Sequence, residues 1–236
     1  MSEVIVERRG RVTIITLARE AKRNALGPGI TAGLDAALND FEDDPRQWCA
    51  VLTGGSRFFS AGADLATGPG EPTERGGIVG IVNRTRTKPL VAAVEGFAYG
   101  GGMELVLCCD LVVAGRSARF GLPEVKRGLM PDFGGAFRVT RALPPNVARE
   151  LLLTAKDLDA ERAERLGFVN VLTDDGSALA AAVALAADIC ENAPLGVQAA
   201  LWALSHATHE RLLRTDDVRE GVGAFFEKRP PTWTGH

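Results

Sequence analysis

Three consecutive glycines, Gly100, Gly101 and Gly102, join an apolar run to a helical pattern, and they restrict what this chain can fold into more than any other feature. The residues before them, Leu90–Val94, are uniformly apolar, as in a strand buried on both faces that runs straight into Gly96. The residues after them, Gly101–Cys109, read as a helix. A glycine inside a helix costs about 1 kcal/mol relative to alanine, so a triple glycine at a helix start needs a reason. Access of a ligand to the first N–H groups is a good one, because those donors and the helix dipole stabilise negative charge. The spacing is not G-x-G-x-x-G, and no acidic residue follows at the distance a ribose would need, so this is not a dinucleotide fingerprint.

Around this junction the chain alternates strands and helices. Val4–Glu7 and Val12–Leu17 flank Arg9-Gly10-Arg11 as strand, turn and strand. Pro28 stands near a helix start, and Ile30, Leu34, Ala37, Leu38 and Phe41 keep helical spacing until Asp43-Asp44-Pro45. Cys49–Thr53 is a short apolar strand ended by Gly54-Gly55-Ser56. Thr67–Gly77, rich in Gly and Pro, is expected to be a mobile surface loop. Leu111–Ala114 reads as a strand and the chain from Ala136 as mostly helix. Alternation up to about residue 125 followed by helices predicts an α/β core and a helical C-terminal segment.

Composition narrows the partners. A net charge of −3 and a pI of about 5.7 do not suit a nucleic-acid binder. The basic runs Glu7-Arg8-Arg9 and Arg84-Thr85-Arg86-Thr87-Lys88 read as solvated faces, although the second is also a candidate for a ligand phosphate. Cys49, Cys108, Cys109 and Cys190 have no C-x-x-C spacing and are expected to be reduced and buried. His206 and His209 lack a third ligand nearby, so no metal site is expected. No signal peptide is visible at Met1-Ser2-Glu3-Val4, and no apolar run approaches the roughly 20 residues of a membrane span. A soluble, cytoplasmic protein with no membrane partner is expected.

Two further segments carry chemistry. Phe58-Phe59-Ser60-Ala61-Gly62-Ala63-Asp64-Leu65 follows a strand with small residues that let a ligand approach the backbone. Taken alone it is a tight turn. Phe120-Gly121-Leu122-Pro123-Glu124-Val125-Lys126-Arg127-Gly128-Leu129-Met130-Pro131-Asp132-Phe133-Gly134-Gly135 sets a glutamate beside a proline in apolar, glycine-rich surroundings.

The three segments in this order resemble the crotonase (enoyl-CoA hydratase/isomerase) superfamily. The likeness extends to Arg23-Asn24-Ala25-Leu26, Asn192-Ala193-Pro194-Leu195 and the Phe226-Glu227-Lys228-Arg229-Pro230 tail, covering nearly the whole chain. Pro131-Asp132, Leu143-Pro144-Pro145 and the tail look most like the carnitinyl-CoA dehydratase branch. The resemblance implies an α/β fold: a crotonase-type spiral of repeated β-β-α units over residues 1–175 and a helical, trimerising segment over 176–236. It also implies an acyl-CoA thioester as substrate, a homotrimer or dimer of trimers, and no cofactor besides the coenzyme A of the substrate. Carried over residue by residue, the N–H groups of Ala63 and Gly101 form an oxyanion hole. Glu104 and Glu124 match the two catalytic glutamates of hydratases. Arg23, Ala25, Ala61, Ala63, Asp64, Leu65, Tyr99, Gly100, Gly101, Pro123 and Asp132 match the substrate and CoA surface, and either Arg23 or the Arg84–Lys88 run approaches a CoA phosphate.

Hydration of a trans-2-enoyl thioester needs a hydroxide equivalent at C3 and a proton at C2. Two carboxyl groups sharing one water supply both. Two departures qualify the resemblance. Asp132 stands where isomerase branches carry a catalytic aspartate, so a double-bond isomerase using Glu124 and Asp132 is the alternative reading, and a non-catalytic CoA-binding paralogue is a third. The stretch Ser205–Asp216 is short where relatives usually carry a further helix.

Overall fold

The computed structural model describes residues 2–201, 212 and 214–236. His206 and His209 lie outside the described residues, as does most of the short Ser205–Asp216 stretch. Among the described residues, six strands form the main sheet: β1 (Val4–Arg9), β2 (Val12–Leu17), β3 (Cys49–Thr53), β4 (Leu90–Val94), β6 (Leu111–Gly115) and β9 (Val171–Thr173), hydrogen-bonded in that order. The first pair is antiparallel, and every later pairing is parallel. A parallel sheet has to be covered on both faces, and the alternation along each strand shows how. Leu52, Ala92, Val94 and Ala114 face the larger core with Ile30, Leu34, Leu38 and Phe41 of α1 (Pro28–Asp43). Their neighbours Val51, Val91, Ala93 and Val113 face the other side, against Ala178, Ala182 and Ala186 of α6 (Ala178–Cys190). Alanines four residues apart make one narrow face, which lets that helix lie close to the sheet. The helical segment expected from residue 176 therefore begins with a helix packed into the core.

A smaller layer contains β5 (Phe97–Tyr99), β7 (Arg119–Gly121) and β8 (Leu158–Asp159). Isolated parallel bridges extend it: Ser60 pairs with Ala98, and Leu26 with Ala63. The chain thus passes repeatedly from the main sheet to this layer, through β3 to Ser60–Ala63, β4 to β5 and β6 to β7. After β5 it enters α2 (Gly101–Val106), and the expected β-β-α spiral is what results.

The remaining described helices are α3 (Gly135–Ala142), α4 (Pro145–Thr154), α5 (Ala160–Arg165), α7 (Pro194–Leu201) and a last one, Asp216–Glu227. Several expectations need correcting. The helix expected to run to Cys109 ends at Val106, and β8 and β9 interrupt the region read as helical. The Thr67–Gly77 stretch is tied down along α1: Thr31 donates to the Pro69 carbonyl, Thr73 to Asp35 at 2.7 Å, and Arg75 to Asp43 at 2.6 Å. The Arg84–Lys88 run is neither a solvated face nor a phosphate site. Arg84 is paired with Asp35, Arg86 with Asp110, and the buried Lys88 ammonium donates to the Phe41 and Asp44 carbonyls at 2.8 Å each. Those charges are spent inside the fold. Among the described residues no single helix is long and apolar enough to cross a membrane. The four cysteines are unbridged; Cys49, Cys108 and Cys190 are buried, and burial pushes the Cys108 and Cys190 thiols up to about 11.

Candidate active site

The triple glycine is explained position by position. Gly100 adopts φ 54°, ψ −126°, a conformation closed to side chains, and a Cβ there would stand 2.9 Å from Glu124 Oε1. A Cβ on Gly102 would meet the Ser60 carbonyl at 2.6 Å. Gly62, at φ 95°, lies equally close from the other side, where a Cβ would be 3.2 Å from the Gly101 nitrogen. These contacts hold Ser60–Ala63 against the start of α2.

The same junction carries two backbone donors that the fold does not use. The Leu26 N–H donates to the Gly62 carbonyl at 2.8 Å and the Asp64 N–H to the Leu26 carbonyl at 3.0 Å. In such a ladder the intervening Ala63 N–H points to the opposite edge, the side on which Gly101 lies. Gly101 is the first residue of α2, so its N–H has no partner within the helix. Among the described residues neither N–H has a protein acceptor.

Both donors open on a cavity of about 240 Å³ whose wall includes Ala61, Ala63, Leu65, Tyr99, Gly100, Gly101, Glu104, Pro123, Glu124 and Asp132. Arg23, Ala25 and Asp64, expected at the ligand surface, do not line it. They take part in contacts of the fold itself: the Ala61 N–H donates to the Arg23 carbonyl at 3.0 Å, and Arg19 donates to the Ala25 carbonyl at 2.9 Å and to Asp64 at 2.7 Å. Arg23 is exposed. The bond from Arg19 holds the Asp64 carboxyl below the usual range.

Glu104 sits on α2 with only 2% of its surface exposed. Its Oε1 accepts the Gly135 N–H at 2.7 Å, from the first residue of α3. Burial pushes its carboxyl up to about 7; the Gly135 N–H pulls it down, while the charges of Glu124 and Asp132 push it further up. Glu124 opens a short 3-10 turn after Pro123, and its Oε2 is buried without a hydrogen-bond partner among the described residues. Its carboxyl is also raised, first by burial and then by Asp132, with Arg127 opposing. Two buried carboxyl groups whose proton affinity is raised stand beside two N–H groups on the wall of one cavity, an arrangement suited to moving protons next to developing negative charge.

A model of the family described as enoyl-CoA hydratase/isomerase matches residues 7–236. The chain belongs to the enoyl-CoA hydratase/isomerase family. Within it the chain is 38% identical to 2,3-dehydroadipyl-CoA hydratase of Escherichia coli and 37% identical to carnitinyl-CoA dehydratase of Salmonella typhi, each over the full length of both proteins. Among solved structures it matches an enoyl-CoA hydratase from Mycobacterium tuberculosis with a TM-score of 0.92 at 41% identity. It matches a carnitinyl-CoA hydratase from Mycobacterium avium with 0.82 at 40%; both matches cover both chains completely.

The sequence does not single out three contributors to this family site. Asn24 is buried at φ 52°, and its amide donates to the Gly54 and Phe59 carbonyls at 2.9 and 3.0 Å, fixing the turn below Ser60–Ala63. Positive φ is tolerated best by asparagine among side-chain-bearing residues. Gly135 supplies the donor to Glu104, and Phe133 closes the cavity over Gly101. A glycine pair opening a helical pattern is a sign of exposed N-terminal donors; nothing local marks Asn24 or Phe133. Among the described residues no group of three His, Cys, Asp or Glu is arranged to hold a metal.

Proposed function

We propose that this chain is an enoyl-CoA hydratase that adds water reversibly, in syn fashion, to a trans-2-enoyl-CoA to give a 3-hydroxyacyl-CoA. The observation that carries the reading is the pair Glu104 and Glu124 on the wall of one cavity into which the Ala63 and Gly101 N–H groups also open. The thioester oxygen lies between those N–H groups. One carboxylate takes a proton from water as its oxygen bonds to C3, the C2–C3 π electrons move onto the thioester as an enolate, and the other carboxyl protonates C2 on the same face. The developing oxyanion meets donors that need no reorganisation, and losing one such donor lowers rates by about 10²–10³-fold. The thioester and the N–H pair are the electron sink, so the reaction as written needs no metal or redox cofactor. Leu65, Leu129 and Met130, exposed along the cavity, offer an apolar surface to the acyl chain.

Mixing the protein with crotonyl-CoA should bleach the absorbance of the conjugated thioester, with label from heavy-oxygen water appearing at C3. No bleaching at any protein concentration sinks the reading. A second reading rests on Asp132, which lines the same cavity and whose charge acts on both glutamates. As an isomerase the enzyme would shift a double bond in a 3-enoyl- or dienoyl-CoA with no water oxygen taken up.

A further inference from the structure

Arg138 of α3 is half-buried, outside the wall of the cavity that Glu104 lines, and without a carboxylate partner among the described residues. Its guanidinium donates instead to two backbone carbonyls, that of Phe133 at 3.2 Å and that of Val82 at 2.6 Å. Arg84, Arg86 and Arg141 line a second cavity with it, and there Arg84 and Arg86 are paired with Asp35 and Asp110. Arg138 is better understood from what it grips. Phe133, Gly134 and Gly135 form the bend ahead of α3, with Gly134 at φ 90°, and the bend delivers the Gly135 N–H to Glu104. The bend is held by the Glu104 carboxyl and by Arg138, which ties it across to Val82 next to the segment packed on α1.

We propose that Arg138 is a positioning residue for the reaction, fixing the Phe133–Gly135 bend so that the Gly135 N–H sets the orientation of Glu104. This deepens the hydratase reading and rests on the role given there to Glu104. Two bonds to carbonyls from one planar guanidinium hold a peptide bend in place more firmly than either alone. A bend free to drift withdraws the donor that favours the charged carboxyl.

The test uses R138M and R138K in the intact protein. For R138M, kcat for crotonyl-CoA should fall about 10–100-fold with KM within about threefold, as expected for a displaced catalytic group. The carbon-13 titration of the Glu104 carboxyl should move to higher pH. R138K, which keeps one or two donors, should recover part of both. In an E104Q background R138M should lower the residual rate less than about twofold, since the two residues act through one another. Equal fold-losses in the two backgrounds would overturn the proposal, as would an unmoved Glu104 titration in folded R138M. Should R138M fail to fold, R138K carries both measurements. The titration reads Arg138 even in a protein with no hydratase activity, so failure of the functional reading shows separately, in the wild type.

Discussion

Glu104 is the residue on which the proposed chemistry turns, and with it a measurable part of the stability. With Glu124 it is expected to act on one water, so E104Q and E124Q should each lower crotonyl-CoA hydration by about 10²–10⁴-fold. The double variant should be little worse than the worse single one; multiplicative losses in steady-state rates would argue against a shared water. Stability should move the other way. The folded protein holds the Glu104 proton up to about pH 7, against an ordinary 4.5. Its contribution is therefore fully present below about pH 4.5 and is lost as the pH rises through 7. Above that, the fold carries a desolvated charge that glutamine lacks. E104Q should be more stable than wild type at pH 8 by roughly 1–3 kcal/mol, with the gap closing near pH 4, in thermal melts at the two pH values. A gap that persists at low pH would mean that packing, not ionisation, is responsible. Asp132 separates the two functional readings. It is exposed at the cavity wall, so D132N should keep crotonyl-CoA hydration within about tenfold, or 1.4 kcal/mol. A folded but inactive D132N would favour the isomerase.

Elements explain which parts of this site were legible before the structure. The strands β3 and β4 lie where their apolar runs predict, because a strand covered on both faces needs an unbroken run, and α1 begins at Pro28 as its spacing implies. β8 and β9 escaped, being only two and three residues long, too short for any alternation to show. The Arg84–Lys88 run was misread because its partners stand 20 to 50 positions away, at Asp35, Phe41, Asp44 and Asp110, and no local pattern reveals such pairs. The start of α2 was legible because three glycines needed a cause, although the structure adds a second one in the close approach of Ser60 and Gly62. The cause inferred from sequence is testable at Gly101. A proline suits the first helical position but has no N–H to give. G101P should abolish turnover while CoA affinity, measured calorimetrically, stays within a few-fold. The added ring also meets Phe133 and Leu26 side chains, so circular dichroism on the same sample has to show an intact fold. A parallel loss of affinity and rate would point to misfolding rather than to a missing oxyanion donor.

At the scale of the whole molecule, the last helix carries an apolar surface that the core of the described residues does not use. On the helix Asp216–Glu227, Val222, Phe225 and Phe226 are 54%, 78% and 76% exposed. Positions three and four apart fall on one side of a helix, so these side chains make a stripe rather than scattered exposures. The helix is not loosely attached. The buried Asp217 carboxyl accepts the N–H groups of Thr234 and Gly235, the Trp233 indole donates to the Glu191 carbonyl at 2.7 Å, and Arg229 pairs with Glu220 at 2.6 Å. The C-terminal tail thus straps the helix in place with the two phenylalanines facing outward. Holding large aromatic side chains in water by a dedicated set of polar contacts makes physical sense only if another surface covers them. Our hypothesis is that a second copy of this chain does so, in the trimer or dimer of trimers that the family resemblance implies. Light scattering on the purified protein should then give a mass three or six times the 25.0 kDa of one chain. Replacing Phe225 and Phe226 together by glutamate should lower that mass to the monomer, because burying two uncompensated carboxylates in an apolar contact is strongly unfavourable. A wild-type monomer would sink the hypothesis outright, and an unchanged oligomer in the double variant would place the interface elsewhere on the molecule.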